Sequence, residues 1–353
     1  MCSSDCPLVS ARRGHPARDE RGTYRYRPGG AFGQAVDEAR EHARWGDTDT
    51  AWRTVRAAIP VWEPLGPAHI APVGLLADPL LAPVLTAGRR LELPESPRGG
   101  ERGPAPGPAR DQDPGGLSWL ARPGGLRPGQ SSPSGYRMVL VEGVAPDELP
   151  VLLGSSSDTA LAPPLLHWRV RHHHRPDLRT FSGYDDKALL SVGRAGQGWS
   201  FGFEDGPPAF SMERFVSPAQ AASARGGHAI VVWSDGGGRT PLFHVSMARG
   251  GMPLYAFTVR DGVTEHSSGA VPAGLAPDLL GFGTEKSDTE KSDSERPAAQ
   301  WGAQGRELDA IADLYGVALP RLALTEGRLH SFETVSRIRP PGPGEAHMTI
   351  TMG

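Results

Sequence analysis

Between Pro94 and Gly135, 19 of 42 residues are proline or glycine, in runs such as Gly103-Pro104-Ala105-Pro106-Gly107-Pro108. A segment this poor in apolar side chains buries too little surface to offset the entropy of ordering it. The chain of 353 residues is long enough for two domains. It therefore reads as two folded pieces on a disordered Pro/Gly linker, 94–134, with a disordered tail at 1–30 and a loose tail at 336–353.

Composition narrows the classes of function. The chain has no Asn and three Lys (Lys187, Lys286, Lys291), so 34 of its 37 basic residues are Arg. Codons for Arg, Ala, Gly and Pro are rich in G and C, so a GC-rich genome accounts for this bias. Net charge is -3 with both signs interspersed, and no basic stripe appears outside Arg12–Arg27, so no nucleic-acid partner is expected. The longest apolar run, Val73–Leu85, is broken by Asp78, Pro79 and Pro83 and is too short for a bilayer, so no membrane partner is expected. Met1–Arg13 lacks the apolar core of about ten residues that marks a signal peptide, and the expected location is the cytoplasm. Cys2 and Cys6 do not have the spacing of a zinc frame and imply no disulfide framework.

The piece at 31–93 opens with a helical stripe over Ala31–Trp45 through Phe32, Val36, Ala39 and Ala43. Gly46 ends it, and Asp47 caps a second helix that presents Trp52, Val55 and Ile59 and stops at Pro60. The prolines at 64, 67, 72, 79 and 83 then predict short helical turns. The piece at 135–335 opens with a strand, Tyr136–Glu142, and a short helix from Pro146. Strand signals follow at Ala188–Val192, Trp199–Glu204, Ala229–Ser234, Leu242–Ala248 and Leu254–Arg260, punctuated by Gly196/Gly198, Gly236–Gly238, Gly250-Gly251 and Asp261-Gly262. A helix is predicted at Ser211–Ala224. The tandem pentapeptides Thr284–Asp288 and Thr289–Asp293 mark 283–304 as a disordered insertion. A last helix, Arg306–Leu319, carries Leu308, Ile311, Tyr315 and Leu319. Trp199/Phe201/Phe203, Phe243/Val245/Met247 and Tyr255/Phe257/Val259 alternate with smaller or polar residues, which predicts a sheet with one buried and one wet face and that helix as its cover. The expected class is α+β: an antiparallel meander covered by helices, preceded by a helical module.

Residues 135–335 resemble an uncharacterised actinobacterial family, a domain of unknown function. The resemblance rests on Tyr136-Arg-Met-Val-Leu-Val-Glu-Gly-Val-Ala-Pro-Asp-Glu-Leu149, Gly198-Trp-Ser-Phe-Gly-Phe-Glu204 and the turn Tyr315-Gly-Val317. It implies an α+β fold and no site. The paired helices at 31–60 resemble one tetratricopeptide hairpin, and 31–93 is similar to N-terminal regions of other uncharacterised actinobacterial proteins.

Candidate chemistry is sparse. Gly198-Trp199-Ser200-Phe201-Gly202 matches the G-x-S-x-G pattern of serine hydrolases, with Asp235 or Asp261 and His244 or His266 following in triad order. The pattern needs Ser on a strand-to-helix turn, whereas Trp199, Phe201 and Phe203 alternate with Ser200, Gly202 and Glu204 at the period of a strand. His172-His173-His174 offers imidazoles, but adjacent residues point apart and Arg169, Arg171 and Arg175 repel a cation. Gly236-Gly237-Gly238-Arg239 lacks the Lys-Ser/Thr of a phosphate loop, and Asp185-Asp186 lacks partners at the spacing of a metal loop. No catalytic, cofactor-binding or metal residue is therefore assigned, and no cofactor is expected. The expected function is a cytoplasmic, non-catalytic binding or regulatory protein, immunity-like, that works through protein partners; the alternative is a hydrolase centred on Ser200.

Overall fold

The computed structural model describes residues 25–64, 71–98, 104, 106–166, 180–181, 188–206, 215–235, 242–282, 295–334, 343 and 350–351. Its contacts fall into two compact units. One holds the chain up to Pro114 together with Pro320–Arg328, and the other holds Gly115–Leu319 and the chain from Leu329 onward.

The first unit is helical. α1 (Gly30–Arg44) and α2 (Thr48–Ala58) form the expected hairpin, with the Asp47 side chain accepting from Thr50 N–H at 3.0 Å as the cap. α3 (Ala71–Ala77) and α4 (Ala87–Arg90) are short. Phe32, Val36, Trp52, Val55, Trp62, Leu75 and Leu85 form the core, with Phe32 stacked on Trp62 at 4.4 Å. Two arginines are buried in this small core, and each is paired. Arg40 Nη2 lies 2.8 Å from Asp78 Oδ2, whose carboxylate also accepts from Tyr26 N–H and Leu80 N–H. Arg89 pairs with Asp49 and donates to Val84 O at 3.0 Å.

Asp49 also corrects the linker. Its carboxylate accepts from the backbone N–H groups of Gln112 and Asp113, each at 3.1 Å. Asp113 in turn accepts from Thr48 Oγ1 at 3.1 Å and from Leu322 N–H at 2.7 Å, in the helix Arg321–Thr325. Burial raises the Asp113 carboxyl above its ordinary range. Further on, Leu117, Trp119 and Leu120 are buried in a 3-10 turn, Ser118–Ala121. Within the stretch expected as disordered tether, 112–113 is bound by Asp49 and Leu117, Trp119–Ala121 and Leu126 are buried. The boundary falls at Pro114 rather than at 135, and 320–328 completes the helical unit.

Among the described residues the strands in chain order are β1 (Tyr136–Glu142), β2 (Ala162–Leu166), β3 (Thr180–Phe181, paired apart with Ile350–Thr351), β4 (Ala188–Arg194), β5 (Trp199–Asp205), β6 (His228–Ser234), β7 (Leu242–Arg249), β8 (Met252–Arg260), β9 (Val263–Gly269) and β10 (Arg328–Thr334). The second unit is built on a nine-stranded antiparallel sheet of these, ordered β2-β10-β4-β5-β1-β6-β7-β8-β9. The expected strands are all present, and the class is α+β. Only β6 to β9 form a simple meander. β1 is inserted between β5 and β6, with Leu140 opposite both Phe201 and Ile230.

Both faces of the central strands are buried, which overturns the expected wet face. β1, β6 and β7 are covered along nearly their whole length. On the face of Leu140, Phe201, Ile230 and Val245 lies the long helix Glu295–Tyr315. It starts eleven residues before the expected Arg306, inside the stretch read as disordered insertion; 283–294 lies outside the described residues. Gln304 Oε1 accepts from Ser234 Oγ at 3.5 Å, Tyr315 meets Trp199 edge-on at 6.0 Å, and Leu308 and Ile311 are fully buried. Gly316, at φ 65°, ends this helix, with Val317 N–H returning to Ala312 O, a Schellman-type cap. The opposite face is closed by Phe215, 4.8 Å from Trp233, by Ser217 on Ser246 at 2.6 Å, and by the short helix Ala219–Ala222. That helix lies within the expected Ser211–Ala224; 207–214 is outside the described residues.

Removing Asp49 leaves Arg89 buried without its counter-ion, which typically costs about 3–5 kcal/mol. Asp49→Ala is therefore expected to lower the urea stability of the helical unit by that order and to open 106–114 to protease. Asp111→Ala, which breaks only the exposed pair with Arg53, is the control and is expected to cost about 1 kcal/mol or less.

Candidate functional site

Ser200 sits inside β5, paired with Val141 on one side and Arg194 on the other. The glycine before it at Gly198 has φ 76° and makes the β4–β5 turn, so the sharp backbone lies before the serine rather than at it. Ser200 is buried, and its hydroxyl donates to Val144 O at 2.6 Å. His244 belongs to β7, three strands away along β5-β1-β6-β7, roughly 14 Å. Its row in the sheet is also four residues removed from the row of Ser200, Val141, Ala229 and Ala248. Its Nδ1 is bonded to Thr258 Oγ1 at 2.9 Å. His266 is on β9, and Asp261, at φ 51°, belongs to the β8–β9 turn. Asp235 accepts from Leu242 N–H at 2.9 Å and fastens the start of β7. The triad candidates are thus dispersed across the sheet.

Cys2, Cys6, the His172–His174 run, Asp185-Asp186 and Gly236–Arg239 lie outside the described residues. Among the described residues no group of three or more His, Cys, Asp or Glu is arranged to hold a metal ion.

The structure instead joins residues that no motif connects. Glu142 ends β1 and His228 begins β6, and antiparallel pairing sets them side by side. His228 Nδ1 is 2.6 Å from Glu142 Oε2, which also accepts the His228 backbone N–H at 3.0 Å. The bond to His228 holds the Glu142 carboxyl below its usual range. The His228 ring is tilted against Tyr315 at 5.9 Å, and Tyr315 Oη reaches Met247 Sδ at 3.1 Å. The bond between Nδ1 and the carboxylate orients the ring. Both side chains are partly exposed, and the pair clasps the ends of β1 and β6. In the helical unit an open cleft of about 290 Å³ is lined by Arg56, Ile59, Pro60, Glu92, Arg98 and Pro106 among others. Arg56 is already bonded to Glu92 and Gly107 O.

The two rims of the sheet differ. β2, Ala162-Pro-Pro-Leu-Leu166, carries two prolines that cannot donate to a further strand. β9 is the opposite rim. Its first half is bulged at Glu265, between the pairs Val259–Thr264 and Thr258–His266, and Glu265 is paired with Arg260 of β8; both features discourage further pairing. Its second half, from His266 to Gly269, pairs with β8 in regular register. Gly269 opposite Tyr255 is the last β8–β9 pair, so Met252–Leu254 run past it, and Met252 and Leu254 are exposed.

No family model, curated protein or solved structure matches the chain. No helix among the described residues is long and apolar enough to cross a membrane.

Ser200→Ala removes one buried neutral hydrogen bond, worth about 0.5–1.5 kcal/mol. The substitution is expected to cost that much in urea stability, and fluorophosphonate probes are expected to leave the wild-type chain unlabelled. Stoichiometric labelling abolished by Ser200→Ala would instead establish a nucleophile.

Proposed function

We propose that the protein is a non-catalytic binding or regulatory protein that works by contacting another protein. The observation that carries this reading is the asymmetry of the sheet rims. Two prolines sit in β2, while the second half of β9 presents backbone donors and acceptors and, past its end, Met252 and Leu254 of β8 stand exposed on either side of Pro253. An extended segment from a partner that adds to a sheet edge gains main-chain hydrogen bonds from the edge and side-chain contacts from its flank. Met252 and Leu254 supply the flank.

Support also comes from how the candidate catalytic groups are used. Ser200, Asp235 and His244 each hold a structural bond within the sheet. Action in the cytoplasm, and on a partner of the immunity kind, belongs to the same proposal.

The test compares capture by the immobilised full chain with capture by Met252→Asp/Leu254→Asp, using extract from the native host. The reading expects a protein retained by wild type and by Ser200→Ala but lost, by tenfold or more, from the rim variant. Capture that is indifferent to the rim and sensitive to Glu142→Ala would move the site to the His228 clasp.

A further inference from the structure

The sheet-facing side of the helix Glu295–Tyr315 is apolar apart from a few residues, and one of these is an acid. Glu307 is fully buried, and neither carboxylate oxygen has a hydrogen-bond partner among the described residues. Ala303, Leu308 and Ile311, its neighbours one turn back, one residue on and one turn on, are buried with it. Arg306 is directed away, its Nε donating to Leu280 O at 2.8 Å. That side of the helix therefore meets the segment Ala273–Phe282, where Leu275 is fully buried and Phe282 stacks on Phe243 of β7 at 5.7 Å.

Few groups are available to compensate a charge at this place. From β8, Tyr255 lies close enough to interact with Glu307, and its hydroxyl is raised by burial first, then by Tyr315 and Glu307. Tyr315, two turns along the same helix, is occupied with Met247. The 3-10 turns Ala273–Leu275 and Ser118–Ala121 carry no titratable residue, and Asp278 is exposed. His244 of β7 bonds Thr258 on the opposite face. His228 and Glu142 are paired with each other at the end of the helix near Tyr315. Burial consequently pushes the Glu307 carboxyl up to about 8, because the charged form loses its hydration and gains no partner among the described residues.

We propose that Glu307 is a proton-dependent latch: uncharged, it lets the middle of this helix lie on the sheet, and charged, it lifts that stretch and bares the apolar face beneath. An opened helix returns the carboxyl to its ordinary range, near 4.5. Between that value and about 8 the open form releases a proton that the closed form keeps. Closure therefore weakens as pH rises, by about tenfold per unit, and levels off above about 8.

Native-state hydrogen exchange on the full chain, corrected for intrinsic rates, reads this directly. The amides of 303–312 are expected to exchange faster than those of β6 and β7 at both pH 6 and pH 9. Their protection is expected to fall by about 100-fold between the two. Glu307→Gln, which imitates the protonated acid, and Glu307→Met, which cannot titrate, are each expected to flatten that dependence. The latch is overturned if protection in 303–312 does not change with pH, if the variants keep the wild-type slope, or if the helix and the central strands exchange at one common rate. The last outcome would mean that the acid tunes the whole unit rather than one helix.

Discussion

Strands that are apolar on both faces must be covered from both sides, and this constraint organises the larger unit. β1, β6 and β7 are the most deeply buried, and they occupy the middle of the sheet. A central position is the place where such strands can satisfy their backbone on both edges and their side chains on both faces. The helix Glu295–Tyr315 closes one face. On the other, small polar side chains are consumed under a thin cover, with Ser200 donating to Val144 O and Ser246 meeting Ser217. The Ser200 and Ser246 hydroxyls are tolerated there because both have a partner, so a hydroxyl on a strand does not mark a wet face.

The helical unit depends on a different device. Its core is small, yet it encloses Arg40 and Arg89, and each guanidinium is neutralised by a carboxylate that also collects backbone N–H groups. Asp49 takes those groups from Gln112 and Asp113, and Asp113 passes the connection on to Leu322. A chain rich in Pro and Gly makes few hydrogen bonds of its own, and here two of its amides are satisfied by an acid on α2. The result is a unit whose contacts include chain from far along the sequence, 320–328. Closing such a long loop costs little more than closing a short one, since the entropy grows logarithmically with length.

The legible parts of the sequence were those whose signal is local. Trp199/Phe201/Phe203 and Phe243/Val245/Met247 declare strands, Gly196/Gly198 and Asp261-Gly262 declare turns, and Gly46-Asp47 declares the break between α1 and α2. β2 and β9 escaped because they are rims: one is rich in proline and the other, Val-Thr-Glu-His-Ser-Ser-Gly, is polar. β10 was hidden by its own modest alternation, Arg-Leu-His-Ser-Phe-Glu-Thr. The placement of β1 between β5 and β6, and with it the meeting of Glu142 and His228, depends on register across long sequence separations, which no local pattern encodes. The part of the linker at 112–121 is illegible for the same reason, because it is held by Asp49 and by the burial of Leu117, Trp119 and Leu120. Nothing in the sequence marked Glu307 as exceptional, since an acid in a long helix is ordinary until the face it occupies is known.

If burial beneath the helix Glu295–Tyr315 stabilises the sheet, the urea unfolding free energy of full-length Ile311→Ala, at a position fully buried in the structure, registers it. Deleting this much side chain from a close-packed core costs about 2–5 kcal/mol, and that loss is the predicted result. A change within about 0.5 kcal/mol, the size of an ordinary surface substitution, would contradict the account and show that the sheet is closed by something other than this helix.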